Sequence, residues 1–134
     1  MKNLKLILIL IFAVSAIIFS MSSCSPDTDV EFDRTLLIGK WQETNTLNFE
    51  VYGKDGSGYT WDEADDVTEA EAQPFTWGLN GNVLTQVHTM EMGGNVPKTY
   101  TVTKLTATEL IYEDNYGKVH SFSKIQPQKT INTY

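Results

Sequence analysis

The chain predicts an all-β fold, a small eight-stranded antiparallel up-and-down barrel behind a cleaved signal peptide and a flexible tether. Three observations carry this expectation. From Leu37 to Ile125, short runs rich in Thr, Val, Tyr, Phe and Trp alternate with turn residues, the composition that β-strands favour. The gaps between runs are too short for parallel crossovers, so successive strands pair antiparallel and the chain meanders. Nothing in the stretch has sustained helical periodicity. Closure suits so many short sequential strands because it leaves no exposed edge; a flattened two-sheet sandwich is the alternative.

The elements follow in chain order. Met1-Lys2-Asn3-Leu4-Lys5 carries two positive charges, Leu6 to Phe19 is almost wholly apolar, and small residues close the segment before Cys24. These are the parts of a secretory signal spanning residues 1–23. The apolar run is shorter than the ~18–20 residues that cross a bilayer, which disfavours a retained transmembrane helix. Ser20-Met21-Ser22-Ser23-Cys24 resembles the cleavage box of bacterial lipoproteins, with Met21 where Leu, Val or Ile is usual. That resemblance implies that Cys24 becomes the lipidated N-terminus; without it, Cys24 is an unpaired thiol in a secreted chain. The expected location is the outer membrane, lipid-anchored, facing either the periplasm or the cell surface.

Removal of 23 residues from 134 leaves 111, enough for one domain. No second cysteine is available for a disulfide, so burial and backbone pairing must hold the core. The leader takes two of the ten basic residues and none of the seventeen acidic ones. So acidic a remainder, without a basic cluster, argues against nucleic acid and anionic head groups as partners. The membrane partner is then reached through acyl chains on Cys24, and a stable hold takes more than one chain. Residues 24–35 follow as an acidic tether without alternation. Asp27, Asp29 and Glu31 resemble the surface-export signal of Bacteroidetes lipoproteins, although any solvated tether has similar composition.

The barrel is expected over residues 36–126, with strands near 38–45, 47–53, 58–63, 75–79, 83–91, 98–105, 108–114 and 118–125, and a tail over 127–134. Lys54-Asp55-Gly56-Ser57-Gly58, Asn80-Gly81, Gly93-Gly94-Asn95 and Asp114-Asn115-Tyr116-Gly117 supply the turns. Alternation places Leu47, Phe49 and Val51 on one face, and does the same for Phe75, Trp77 and Leu79 and for Tyr100 and Val102. Each of these sets is expected inside. Residues 62–73 hold six acids and three alanines, expected as a short acidic helix or a solvated connection that shields a strand edge. Asp62, Glu63, Asp65 and Asp66 lack the spacing and central Gly of a calcium loop.

Several motifs resemble a known family. Gly39-Lys40-Trp41 looks like the Gly-x-Trp signature of lipocalins, in which the Trp closes the barrel floor. Phe49 to Tyr59 with its Asp55-Gly56 turn, Phe75 to Thr85 around Asn80-Gly81, and Val102 to Leu110 around Leu105-Thr106 are similar to successive hairpins of the short lipocalin-like domains of Bacteroidetes lipoproteins. The resemblance spans Leu36 to Ile125 and implies a lipocalin-like barrel. Lipocalins carry a late basic residue, typically Arg, across the signature Trp. The one Arg here, Arg34, precedes the barrel, which leaves Lys124 to stack its stem on Trp41 without the planar guanidinium.

Function follows from what an eight-stranded barrel can do, which is to fill with side chains or to hold one small ligand. Binding of a small apolar or amphipathic ligand is the leading expectation, lined by Trp41, Phe49, Tyr59, Trp61, Trp77, Tyr100 and Tyr112. The alternative is a filled barrel serving as a non-enzymatic interaction or assembly module of the outer membrane, with exposed aromatics such as Trp61 as contacts. The protein partner is left open, and no cofactor is implied. A third candidate is copper at His88, Met90 and Met92, which alternate and would share one strand face as a soft donor set. The shared parity of Leu84 and Gln86 instead suits ordinary core with Met as filler. No enzymatic activity is expected. His88 and His120 are the only histidines, and Ser57 sits in a hairpin that offers no helix terminus for an oxyanion hole.

Overall fold

The computed structural model describes residues 30–128. The expected signal peptide, Cys24, the first part of the tether and residues 129–134 lie outside them. The described chain opens with one helical turn, α1 (Arg34–Leu37), and continues as β1 (Gly39–Glu43), β2 (Asn48–Tyr52), β3 (Ser57–Asp62), β4 (Gln73–Asn80), β5 (Val83–Thr89), β6 (Asn95–Leu105), β7 (Glu109–Glu113) and β8 (Val119–Ile125). Each strand pairs antiparallel with the next, and β1 pairs with β8 to close the barrel. The up-and-down barrel is the fold that the alternating runs and short turns predict.

Several strand ends differ from expectation by two or three residues: β1 and β5 end early, at Glu43 and Thr89, and β6 and β4 start early. β6 starts at Asn95, because Val96 and Pro97 already pair with His88 and Val87 across a tight turn at Gly93-Gly94. Its pairing with β7 slips by one residue between Val102 and Lys104, a bulge within the longest strand. β4 starts at Gln73, and Pro74 is accommodated opposite Tyr59. The tether is also shorter than expected. The Phe32 amide donates to the Gly81 carbonyl at 3.2 Å, and Asp33 caps α1 by accepting from the Thr35 amide at 2.9 Å. The chain is therefore attached to the barrel three residues before residue 35.

Alternation correctly groups residues by face, but on β2 the inner face is the opposite one. Glu50 and Tyr52 point in, packed among Tyr112 and Gln86, so Leu47, Phe49 and Val51 point out. The pairing of Phe49 with Trp61 and of Val51 with Tyr59 carries the same parity onto β3. Three aromatics thus form a stack on the outer wall, with Phe49 and Trp61 centroids 4.9 Å apart and Tyr59 and Trp61 5.9 Å apart. Residues 63–72 lie over this stack as two 3-10 turns, Glu63–Asp65 and Glu69–Glu71. Lys40 Nζ sits 4.8 Å above the Trp61 ring and bonds Glu69 at 2.7 Å, while Trp61 Nε1 donates to Glu63 at 3.3 Å. An apolar outer face is stable here because an acidic strap and a lysine stem keep water from it.

The core sits at the end where α1 meets the strands. Leu37, Trp41, Trp77, Leu84, Val102, Leu105, Leu110 and Phe122 are buried there or just above. Trp41 Nε1 donates to the Leu37 carbonyl at 2.8 Å, and Lys124 Nζ lies 4.7 Å over the Trp41 ring. Lys124 also donates to the carbonyls of Leu36 and Ile38 at 2.7 and 2.8 Å, satisfying helix-end groups that α1 leaves open. Gly39 has φ +135, and a Cβ there would stand 3.3 Å from Lys124 Cε. Arg34 is used as well, its guanidinium 4.3 Å over Trp77.

Candidate ligand-binding site

The opposite end of the barrel is a mouth bordered by the β1–β2, β5–β6 and β7–β8 turns and the acidic strap. Strand parity delivers a different set of side chains there. Gln86 and His88 alternate with Leu84 on the inner face of β5, Tyr100 and Val102 do so on β6, and Tyr112 faces inward from β7. Gln86, His88 and Tyr112 form a continuous polar chain in the interior with Glu50 and Tyr52 from β2. The Tyr112 hydroxyl donates to Glu50 Oε1 at 2.9 Å and the Tyr52 hydroxyl to Glu50 Oε2 at 2.5 Å. Gln86 Nε2 donates to the Tyr52 oxygen at 2.7 Å, and His88 Nε2 lies 2.8 Å from Gln86 Oε1.

Burial sets the electrostatics of this chain. It pushes the Glu50 carboxyl above the usual carboxylate range, against the pull of its three donors, and raises the Tyr52 and Tyr112 hydroxyls well above the ordinary phenol. Tyr100 is pushed up to about 12 by burial and then by the nearness of Glu50. His88 is driven down to about 4, first by burial and then by the Lys98 charge. Its ring is therefore neutral at pH 7. His88 is only 4 % exposed, and its Nδ1 has no hydrogen-bond partner among the described residues.

A groove of about 450 Å³ opens at this end, lined by Pro97, Lys98, Thr99 and Tyr100 from β6, by Asp114, Asn115 and Tyr116 from the β7–β8 turn, and by His120. Tyr100 joins groove and interior, since its ring packs 4.4 Å from that of Tyr112. His120 Nδ1 meets Glu43 Oε1 at 2.7 Å and Nε2 meets Asp114 Oδ2 at 3.4 Å, which ties β8 to β1 and to the β7–β8 turn at the rim. The groove itself offers the Tyr100 ring and the polar groups of Lys98, Asp114, Asn115 and His120, and Tyr100 is its link to the buried chain.

The seven residues expected to line a ligand are divided among three places. Trp41 and Trp77 lie in the floor, with Trp77 Nε1 bonded to the Gly53 and Ser57 carbonyls at 3.1 and 3.0 Å. Phe49, Tyr59 and Trp61 form the outer stack and face away from the interior. Tyr100 and Tyr112 alone are at the polar chain. The copper candidate does not assemble: β5 ends at Thr89, so alternation does not carry His88's face to Met90 and Met92, and Met92 is fully exposed in the turn. Among the described residues no group of three or more His, Cys, Asp or Glu is placed to hold a metal ion.

Glu50, Tyr52, Gln86 and His88 were missed as members of one site. Their signal in the sequence is a carboxylate at the centre of Phe49-Glu50-Val51-Tyr52, together with two polar residues on the parity of Leu84. Comparison with protein-family models, with curated proteins and with solved structures found no match for this chain.

Proposed function

We propose that this chain is a lipid-anchored, lipocalin-like protein of the cell envelope that binds a small amphipathic ligand through the barrel mouth. The observation that carries the proposal is the buried chain from Tyr112 through Glu50, Tyr52 and Gln86 to His88. A barrel built only to be filled gains nothing from enclosing a carboxylate, since ion burial opposes folding and apolar residues of the same size serve as well. A site that must bind a polar group in a dry interior needs such a chain. Tyr100 links it to the groove at the mouth, a route for a molecule with a polar head and an apolar body.

Binding is non-covalent and non-catalytic in this proposal and uses no cofactor. The lipid on Cys24 holds the barrel to the outer membrane, on its periplasmic or its surface side. An assembly module acting through Trp61 has weaker support, because Trp61 lies buried beneath Lys40 and the strap.

Native mass spectrometry of the full chain, expressed in a bacterium and extracted in mild detergent, tests the proposal. The expected spectrum shows acyl chains on Cys24 and a further non-covalent mass, which a folded Tyr100→Ala variant loses. A chain that carries its acyl groups but never a second mass, even after incubation with envelope extracts, would contradict it.

A further inference from the structure

The hydrogen-bond chain has a direction, and the direction ends on one atom. Glu50 accepts from both tyrosines, so its two oxygens are occupied as acceptors. The Gln86 amide then stands with one end 2.7 Å from the Tyr52 oxygen and 3.4 Å from Glu50 Oε2. With Glu50 ionised the nitrogen is that end, because an amide oxygen would face a carboxylate oxygen and a phenol oxygen whose proton is already committed. Gln86 Oε1 is therefore turned toward His88, 2.8 Å from Nε2. An acceptor there requires Nε2 to carry the proton, and a neutral imidazole has only one. His88 Nδ1 is left as a bare lone pair, buried and without a partner among the described residues.

We propose that His88 Nδ1 is the atom by which the barrel recognises its ligand, an acceptor locked in that form by Glu50 that takes a hydroxyl or a neutral N–H. This rests on the binding function proposed above and adds the chemical class of the ligand's polar group. Phe75, with its ring 5.1 Å from that of His88, provides an apolar wall beside the acceptor, which suits a hydroxyl carried on a ring or hydrocarbon. Besides the tyrosines, the titratable groups on the inner parity of the surrounding strands are Glu50 on β2, Glu43 on β1, Asp62 at the end of β3, Lys98 on β6 and His120 on β8, with Asp114 in the β7–β8 turn. None of them bonds His88, whose hydrogen-bond partner among the described residues is Gln86. Burial and Lys98 both oppose an imidazolium, which would present a donor instead.

Side-chain ¹⁵N NMR of the full chain, labelled at histidine and held in detergent at pH 7, reads the lock directly. The expected His88 spectrum has a protonated Nε2 and an unprotonated Nδ1, and a folded Glu50→Leu variant shows a mixture of the two tautomers as Gln86 becomes free to turn. Phenol and anisole at millimolar concentration then serve as probes of like shape, one with a donor and one without. Phenol is expected to shift Nδ1 and to bind at least about tenfold more tightly than anisole, as a site with a buried acceptor rejects the analogue that cannot fill it. A protonated Nδ1 in the unaltered chain overturns the inference and leaves ligand binding as such untouched. Equal binding of the two probes does the same, since the interior would then bind rings without reading their hydroxyl. Binding of neither probe overturns the role given to His88.

Discussion

The floor and the mouth of this barrel are made by the same eight strands and differ in how they treat polar atoms. At the floor every polar group named is answered by the protein: Trp41 by the Leu37 carbonyl, Trp77 by two carbonyls of the β2–β3 turn, Lys124 by two more at α1. At the mouth a carboxylate is enclosed and an imidazole nitrogen goes unanswered. The floor has the character of a structure optimised to stay folded. The mouth has the character of one that gives up stability, as functional sites do, and the binding proposed above would account for that cost.

If that division is right, the largest loss of stability should come from the floor. Trp41→Ala removes a fully buried indole and unseats both α1 and Lys124. An expected cost of about 3–5 kcal/mol is a large part of the roughly 5–15 kcal/mol that holds a domain together, and urea unfolding of the full chain in detergent measures it. A loss below about 1 kcal/mol would mean that the floor is not the keystone described here.

The mouth should answer mainly to pH. Burial holds the Glu50 carboxyl above its ordinary 4.5, so between that value and the raised one the native state retains a proton that the unfolded chain has released. Stability contributed by this residue therefore falls as pH rises through the window, and the penalty persists above it. In Glu50→Gln the penalty is gone, and the gain in stability over the unaltered chain should grow as pH rises from 4.5. His88 has the opposite sign: held neutral, it adds stability that is lost as pH falls from 6.5 through about 4. Being present in both proteins, that contribution cancels in their difference. Asp33, Asp55 and Asp114, held low by hydrogen bonds, act below this window. A pH-independent difference between the two proteins would break the contrast between mouth and floor.

The outer wall should be the least sensitive of all. Lys40 and Glu69 are 33 % and 46 % exposed, and pairs of that kind contribute about 0–1 kcal/mol. Lys40→Ala is expected to cost at most about 1 kcal/mol in thermal unfolding, a little of it from the stem that covers Trp61.

Which parts of this were legible in the sequence follows from the physics of strands. Alternation and short turns gave the closed meander, because a period of two and a hairpin loop are local properties. Gly39-Lys40-Trp41 marked the floor, and Lys124 was recognisable as the cation for Trp41 from its position on the last strand. The inner face of β2 was misassigned for a reason outside the strand itself. A face bearing Leu47, Phe49 and Val51 outweighs one bearing Asn48, Glu50 and Tyr52 in apolarity, and only the strap over residues 63–72 makes the first tolerable outside. The polar chain was illegible for the same reason, because its members come from β2, β5 and β7 and meet only when the barrel closes. Tyr100 and Tyr112 were found since aromatics on an inner strand face announce themselves; Gln86 and His88 do not.

The most direct test replaces the whole polar chain at once, with Glu50→Leu, Tyr52→Phe, Gln86→Leu, His88→Leu and Tyr112→Phe in one protein. Apolar side chains of similar volume can replace buried charge and hydrogen bonds with no loss of stability, or a gain. The thermal midpoint and the native mass spectrum of this variant are measured together. If the chain exists for a ligand, the midpoint holds or rises while the bound mass disappears. A midpoint lower by more than about 10 °C, or a bound mass that survives, would contradict the claim that the mouth sacrifices stability for binding.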